Sequence, residues 1–448
     1  MPPTAVPDRL NPLDLVSLWT DGTDWVQDVA ALAILDGRPT IDEVRTAVAA
    51  RLDRVPRLRQ VLRVPRRGLG RPLWVDAPGW GIAEQVRIAP TAVDEAGLLA
   101  VVESLRRHPL DRARPLWEVW LVPGLPDGRS GLYLRVHHAL VDGVAGMATM
   151  AALLTPAGDP PRPWTPGPAP TNAQLLADNL RHGRDALVRG LGALRRRPHR
   201  QDRQSMASAV LAMARSPVPR TSLDRRVGPD RTVRLVRDRL DRIRAVAHEH
   251  GATVNDVLLA AITCGVRALL LARGERVEGV VLRALVPVSL HHEPGPAAGN
   301  VLGQFAAPLP VGEAAPADVL RVIAAATAAE KARVGPRRMP VVRSRTLQRV
   351  FLGFMARQRM TTLTVADLPG PRERLAAAGA PVVEMFPLVP LIGNMPLGVG
   401  ALSYAGTFAV GVVADPAACP DVDVFADALR AGLDTLAASA RPGEQHDE

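Results

Sequence analysis

Leu132-Tyr133-Leu134-Arg135-Val136-His137-His138-Ala139-Leu140-Val141-Asp142-Gly143 is the stretch that organises the rest of the chain. Leu132, Leu134 and Val136 alternate with Tyr133 and Arg135, the period of a half-buried strand. The strand runs straight into His137-His138, and an apolar helix begins near Val144. A histidine at the end of a rigid strand projects into whatever cleft lies beyond it, and its ordinary pKa suits a general base. Gly143 lets the chain turn tightly behind the pair. Bland readings exist for each part. Asp142 alone is a good N-cap for the helix that follows, and a single histidine at a strand end is usually structural. Two adjacent histidines with Asp142-Gly143 close behind leave the chemical and the structural reading evenly matched.

Outward from this stretch, strands and helices alternate. Val29 to Leu35 is a strand-like apolar run, and Ile41 to Leu52 has helical spacing through Val44, Val48 and Leu52. Pro156 to Pro170 is a proline-rich connector. Residues 172–197 read as a helix with Leu175, Leu176, Leu180, Leu187, Leu191 and Leu194 on one face, and the chain turns strongly basic from Arg189 to Arg203. That basic run is either a solvated charged face or an attachment to anionic lipid. Val254 to Arg273 is a helix with Thr253 as N-cap, Asp256 three residues on and Gly274 as terminator. Val280 to Val288 and Ser403 to Val413 read as strands, and Phe425 to Leu436 as an amphipathic closing helix. The expected organisation is an α/β chain of the α+β type: a first half over 1–160, a proline-rich and basic helical connector over 161–229, and a second half over 230–448.

Composition agrees with two lobes. The chain has 448 residues, 47% hydrophobic and 22% charged, which exceeds one ordinary core and excludes a disordered polymer. The net charge of +10 favours anionic partners: nucleic acid, a membrane surface or a phosphorylated small molecule such as coenzyme A. Nucleic acid is the weakest of these, since aromatics are only 3% and no zinc-finger or RNA-binding aromatic spacing occurs. Cys264 and Cys419 cannot make a disulfide framework, and Met1-Pro2-Pro3-Thr4 does not open a signal peptide. No run reaches about 18 uninterrupted apolar residues. A cytoplasmic protein is expected, with peripheral contact at a membrane or lipid inclusion left open.

Several ordered motifs resemble the bacterial wax ester synthase/diacylglycerol acyltransferase family, within the CoA-dependent acyltransferase superfamily that includes chloramphenicol acetyltransferase and peptide-synthetase condensation domains. They are Asn11-Pro12-Leu13-Asp14, Pro109-Leu110-Asp111 with Arg114-Pro115-Leu116-Trp117-Glu118, the histidine motif, and Thr253-Val254-Asn255-Asp256-Val257. Val286-Pro287-Val288-Ser289 with Gly299-Asn300, Leu368-Pro369-Gly370-Pro371 and Ser403-Tyr404-Ala405-Gly406 follow in the right order. The resemblance implies two chloramphenicol-acetyltransferase-like halves with the reaction in a tunnel between them. It implies acyl transfer from acyl-CoA to an alcohol or diacylglycerol, acyl-CoA being a co-substrate, with no cofactor and no metal. His138 would be the base, His137 its supporting neighbour, and Asp142 structural, paired with an arginine for which Arg59 of Leu58-Arg59 is the nearest counterpart. Asp256 has a competing reading as the acidic member of a capping box, and Asn255 as site support. Pro115, Leu116 and Trp117 read as packing elements of the acyl channel.

The departures concern the acceptor. Asp367-Leu368 stands where the family often has Asn-Val, and Trp25-Val26-Gln27-Asp28 where it has Met-His-Val-Gly. Gly398 and Gly400 replace larger polar residues, which leads us to expect a cavity filled by a bulkier alcohol. Two rival readings stand beside the first. One is a specialised-metabolite or free-standing condensation-type enzyme acting on a bulkier acceptor, and the other is a non-catalytic lipid-binding protein of the same fold. His248-Glu249-His250 is not a zinc motif, because i,i+2 places the two rings on different helix faces. No acidic cluster near His291-His292 completes a metal site, and Gly68 with Gly70 signals a hairpin.

Overall fold

A computed structural model describes residues 7–22, 24–140, 143–154, 164–195, 217–289, 302–331, 350 and 352–439. Its strands are β1 Asp28–Leu35, β2 Gln60–Arg63, β3 Leu73–Asp76, β4 Val86–Ile88, β5 Trp117–Val122, β6 Ser130–His137 and β7 Thr232–Arg239. Beyond these come β8 Leu282–Ser289, β9 Leu302–Leu309, β10 Leu363–Pro369, β11 Ala376–Ala377, β12 Ala380–Leu388, β13 Leu397–Tyr404 and β14 Thr407–Ala414. They build two six-stranded sheets, ordered β11-β12-β1-β6-β5-β4 and β7-β14-β13-β10-β8-β9, and a separate β2-β3 hairpin. Gly68 and Gly70 lie in that hairpin's connection with φ of 89° and 93°, conformations that glycine adopts without steric cost.

Local chemistry accounts for the helices. Thr40 and Glu43 form a capping box at Ile41–Ala49, whose Val44 and Val48 are buried. Thr253 and Asp256 do the same for Val254–Ala272, and Gly274 follows with φ of 72°. Val254–Ala272 is long and apolar enough to cross a membrane by length and composition, yet it is the central helix of the second half. Its Gly265 lies directly against Phe425 and its Cys264 against Gly432, both on the Val422–Ser439 helix. One core cluster joins these helices to β7–β10, β13 and β14. A second lies between β1, β5, β6 and the Gly143–Leu154 helix. A third joins the other face of β1 and β6 to the Glu95–Arg106 helix and to Val233, Leu235, Ala409 and Val413 of the second half.

The structure corrects the sequence reading in four places. Residues 403–413 are not one strand: β13 and β14 pair from Leu397↔Ala414 to Tyr404↔Thr407 around a two-residue turn, with φ of 44° at Ala405 and 86° at Gly406. β6 is not half-buried, because all eight of its residues are buried, Tyr133 and Arg135 included. The division at residue 230 is not a spatial one. β11 and β12 lie late in the chain but complete the first sheet, β12 pairing with β1 from Ala30↔Leu388 to Leu35↔Val382. The Asn172–Arg195 helix buries Leu175, whereas Leu176, Leu180 and Leu187 on its supposed packing face are exposed.

β12 also removes the expected cavity. A Cβ added at Gly398 would lie 2.6 Å from Val389 Cγ2, and one at Gly400 would lie 2.8 Å from the Pro387 carbonyl oxygen. The glycines of β13 admit the end of β12 and the residues after it, so the space is filled by protein, side chains at Gly398 and backbone at Gly400, rather than by substrate. Gly400→Thr is therefore expected to destabilise the protein by ~1–3 kcal/mol through overpacking. Urea unfolding would show a lowered midpoint, while an alcohol-competition assay would show an unchanged preference among folded molecules.

Candidate active site

β6 lies between β1 and β5, with Asp28 opposite His137 and Trp117 opposite Val136. Just past the regular ladder, the His137 amide donates to the Leu116 carbonyl at 2.9 Å and the His138 amide to the Gln27 carbonyl at 2.8 Å. Both neighbouring strands thus hold the strand end, one on each side.

The two histidines are in different situations. His137 is fully buried. Its Nδ1 accepts from the Ala139 amide at 2.9 Å, so the ring proton sits on Nε2. That nitrogen lies 3.3 Å from Asp21 Oδ2, a close polar contact that is long for a hydrogen bond. Asp21 also accepts from the Gln27 amide at 3.1 Å and from Arg112 Nη2 at 3.0 Å. Burial pushes the Asp21 carboxyl up, but His137, the Gln27 amide and Arg112 outweigh it and hold the pKa below the ordinary value. His138 is only half-buried. His137 is thus closed off on all sides, and His138 is the more exposed member of the pair.

Beneath the pair lies a buried ionic network. Arg135 Nη1 donates to Asp28 Oδ2 at 3.1 Å, and Nη2 donates to Glu118 Oε2 at 2.7 Å. Nη1 also donates to the Leu105 and His108 carbonyls, at 2.9 Å and 2.7 Å. Burial works against the charge on Arg135, but Asp28, Tyr133 and Glu118 overcome it and raise its pKa. Burial raises the pKa of Asp28. Arg87 and Trp120 Nε1 complete the partners of Glu118, each at 2.9 Å.

The remaining motif residues fall into separate places. Pro115, Leu116 and Trp117 are buried beside β6. Trp117 Nε1 donates to the Leu58 carbonyl at 2.8 Å, and Gln85 Nε2 donates to the Pro115 and Trp117 carbonyls, both at 2.7 Å. Trp80 stands edge-on to Trp117, with ring centroids 6.1 Å apart. Arg59 stacks over the Trp164 ring at 5.3 Å, and burial lowers its pKa, partly offset by Asp53. Asp142 lies outside the described residues, as do His291 and His292, so the expected Asp142–Arg59 pair is not placed. Gly143 opens the Gly143–Leu154 helix. In the second half, Asp256 has both oxygens engaged: Oδ2 accepts from the Thr253 amide and hydroxyl, and Oδ1 accepts from Thr327 Oγ1 at 2.7 Å. That leaves it a helix cap, while half-buried Asn255 sits in the first turn. Gly398 and Gly400 pack against protein, as described above. Asp21 was not marked by any motif, Gln27, Asp28 and Glu118 fell within compared segments without being singled out, and Arg135 was hidden by the alternation that placed it on a solvent face.

Two sheets joined by a borrowed strand, with a histidine pair at the end of β6, define the class of protein by fold as chloramphenicol-acetyltransferase-like. The particular family follows from comparison. Residues 10–258 match the wax ester synthase/diacylglycerol acyltransferase catalytic domain, and residues 298–437 match the corresponding C-terminal domain. The chain belongs to this family and is an acyl-CoA-dependent O-acyltransferase. A probable diacylglycerol O-acyltransferase of Mycobacterium tuberculosis is 30% identical over 419 residues, covering 89% of this chain and 88% of its own. The wax ester synthase/diacylglycerol acyltransferase of Marinobacter aquaeolei VT8 shares the fold with a TM-score of 0.68 at 22% identity, over 96% of this chain and 99% of that one. The first condensation domain of the calcium-dependent antibiotic synthetase also shares it, with a TM-score of 0.65 at 18% identity, over 98% and 97% of the two chains.

Removing the central cation should expose the cost of the network. Arg135→Met leaves two carboxylates buried together and is expected to cost ~3–5 kcal/mol in chemical denaturation. Without Arg135 the Asp28 carboxyl rises further above its unfolded value, so the folded state holds its proton to higher pH. The variant should therefore regain stability as pH falls through the range between the two values and lose it as pH rises. Denaturation midpoints measured across pH would reveal this slope.

Proposed function

We propose that His138 is the general base that lets an alcohol attack the thioester of acyl-CoA. The hydroxyl oxygen adds to the thioester carbonyl as His138 takes the hydroxyl proton. The tetrahedral intermediate collapses to the ester, and the departing CoA sulfur recovers the proton from the imidazolium. The balance closes with no covalent enzyme intermediate, no metal and no cofactor. The observation that carries this reading is the division between the two histidines: His137 is fully buried with Nδ1 taken by the Ala139 amide and Nε2 facing Asp21, and half-buried His138 follows it at the strand end.

We propose a diacylglycerol or a long-chain alcohol as acceptor, in keeping with the names of the relatives. The bulkier acceptor rested on room at Gly398 and Gly400, and those positions face protein. A non-catalytic lipid-binding role would leave His138 dispensable. His138→Ala is expected to lower thiol release from acyl-CoA by ~10²–10⁴ with an unchanged thermal unfolding profile. Retention of more than about a tenth of the parent rate would remove the base role.

We further propose that the enzyme works in the cytoplasm, peripherally at a lipid surface. Leu176, Leu180 and Leu187 form an exposed apolar line along the Asn172–Arg195 helix, flanked by exposed Arg181 and Arg184. The basic run Arg189–Arg203 lies outside the described side chains. Leu180→Gln with Leu187→Gln should reduce co-sedimentation with anionic vesicles several-fold while sparing turnover of a water-soluble alcohol. Equal sedimentation of variant and parent would refute attachment through this helix.

A further inference from the structure

We infer that Asp21 is a positioning residue for His138. The inference rests on the reading of His138 as the base.

One buried carboxylate touches both supports of that residue. Asp21 immediately follows the Pro12–Thr20 helix, and its side chain is only 1% exposed. Oδ1 accepts from the Gln27 amide at 3.1 Å, and the carbonyl of the same Gln27 receives the His138 amide at 2.8 Å. Oδ2 lies 3.3 Å from His137 Nε2. On the other side of that ring, Nδ1 receives the amide of Ala139, the residue that follows His138. The contacts close a ring: Asp21 to Gln27 to His138, and Asp21 to His137 to Ala139. The peptide on each side of His138 is thereby fixed from a single anionic group. Arg112 anchors that group, donating to Oδ2 at 3.0 Å and to the Leu18 and Asp21 carbonyls at 3.1 Å each.

The chemistry of this arrangement is specific. The Ala139 amide reserves Nδ1 of His137 as an acceptor, which places the remaining ring proton on Nε2, where a carboxylate is the fitting neighbour. An anion at Asp21 therefore matches the one tautomer the backbone permits. Its charge also favours the imidazolium that forms on His138 during the reaction. A merely structural carboxylate would be expected to affect folding without touching the titration of the base.

The test is Asp21→Asn in the full chain, assayed by thiol release from acyl-CoA with an alcohol and normalised to the folded fraction. We expect kcat to fall ~10–100-fold, the scale of a misplaced reacting group, with KM for both substrates within about twofold. The acid limb of kcat/KM should move to lower pH, because the nearby anion is gone. A folded variant with more than half of the parent kcat and an unmoved acid limb overturns the inference. Should the variant not fold, long-range proton–nitrogen spectra of the histidine-labelled parent still decide the matter. They must show one buried ring, lost in His137→Gln, protonated on Nε2; protonation on Nδ1 overturns the arrangement. Failure of the base reading is distinct, since His138→Ala would then stay active whatever Asp21→Asn does.

Discussion

Arg135 lies on the middle of three adjacent strands and bonds to a carboxylate on each neighbour, Asp28 on β1 and Glu118 on β5. Burying a guanidinium costs several kcal/mol, which excellent geometry and further hydrogen bonds must offset. Here all three of its nitrogens donate, and two backbone carbonyls at the end of the Glu95–Arg106 helix take the remaining bonds. The arrangement exists in only one register. Sliding β6 by one residue would turn Arg135 to the apolar face that holds Leu134 and Val136, and would leave two buried carboxylates without a cation. Because His137 lies two residues along on the same face, the register that satisfies Arg135 also delivers the histidine pair to its position.

The sequence reading was strongest where local chemistry decides the outcome. The spacing of Val44 and Val48, Thr253 with Asp256 and the Gly68–Gly70 hairpin all follow from interactions within a few residues. It failed where the partner is distant. Tyr133 and Arg135 looked solvent-facing because alternation normally means that, yet a helix and the second half cover that face. An arginine in a strand is buried only when carboxylates await it, and Asp28 and Glu118 could not be matched to it without the pairing of β1 and β5 with β6. Asp21 escaped for the same reason: it ends a short helix more than a hundred residues before His137, with no spacing to link them. The histidine motif itself was legible, while the division of labour within it required the Ala139 amide and the depth of each ring.

Glycine was the other source of misreading. An absent side chain at Gly398 and Gly400 suggested a space, and the structure fills it with the end of β12. Gly411 of β14 meets the same Pro387 carbonyl. Gly400 and Gly411, facing one another on two paired strands, thus form a bed on which a strand of the other sheet lies, bringing backbones closer than any side chain allows. Tyr404 reinforces the junction by donating its hydroxyl to the Val382 carbonyl and accepting from the Leu375 amide, at 2.9 Å and 2.8 Å. The two halves are coupled by main chain as well as by apolar packing.

The late position of β12 bears on how the chain comes off the ribosome. β1 and β6 are complete once His137 has emerged, but the strand that covers the outer edge of β1 ends at Leu388, roughly 250 residues later. At ordinary bacterial elongation rates that is an interval of ~10–50 s. Through that interval the nascent first sheet carries an open row of amides and carbonyls along an apolar strand, the kind of edge that templates misassociation. The first sheet is therefore completed only when the second half is nearly finished, and its outer edge at β1 is closed by the last part of the chain rather than by its own half.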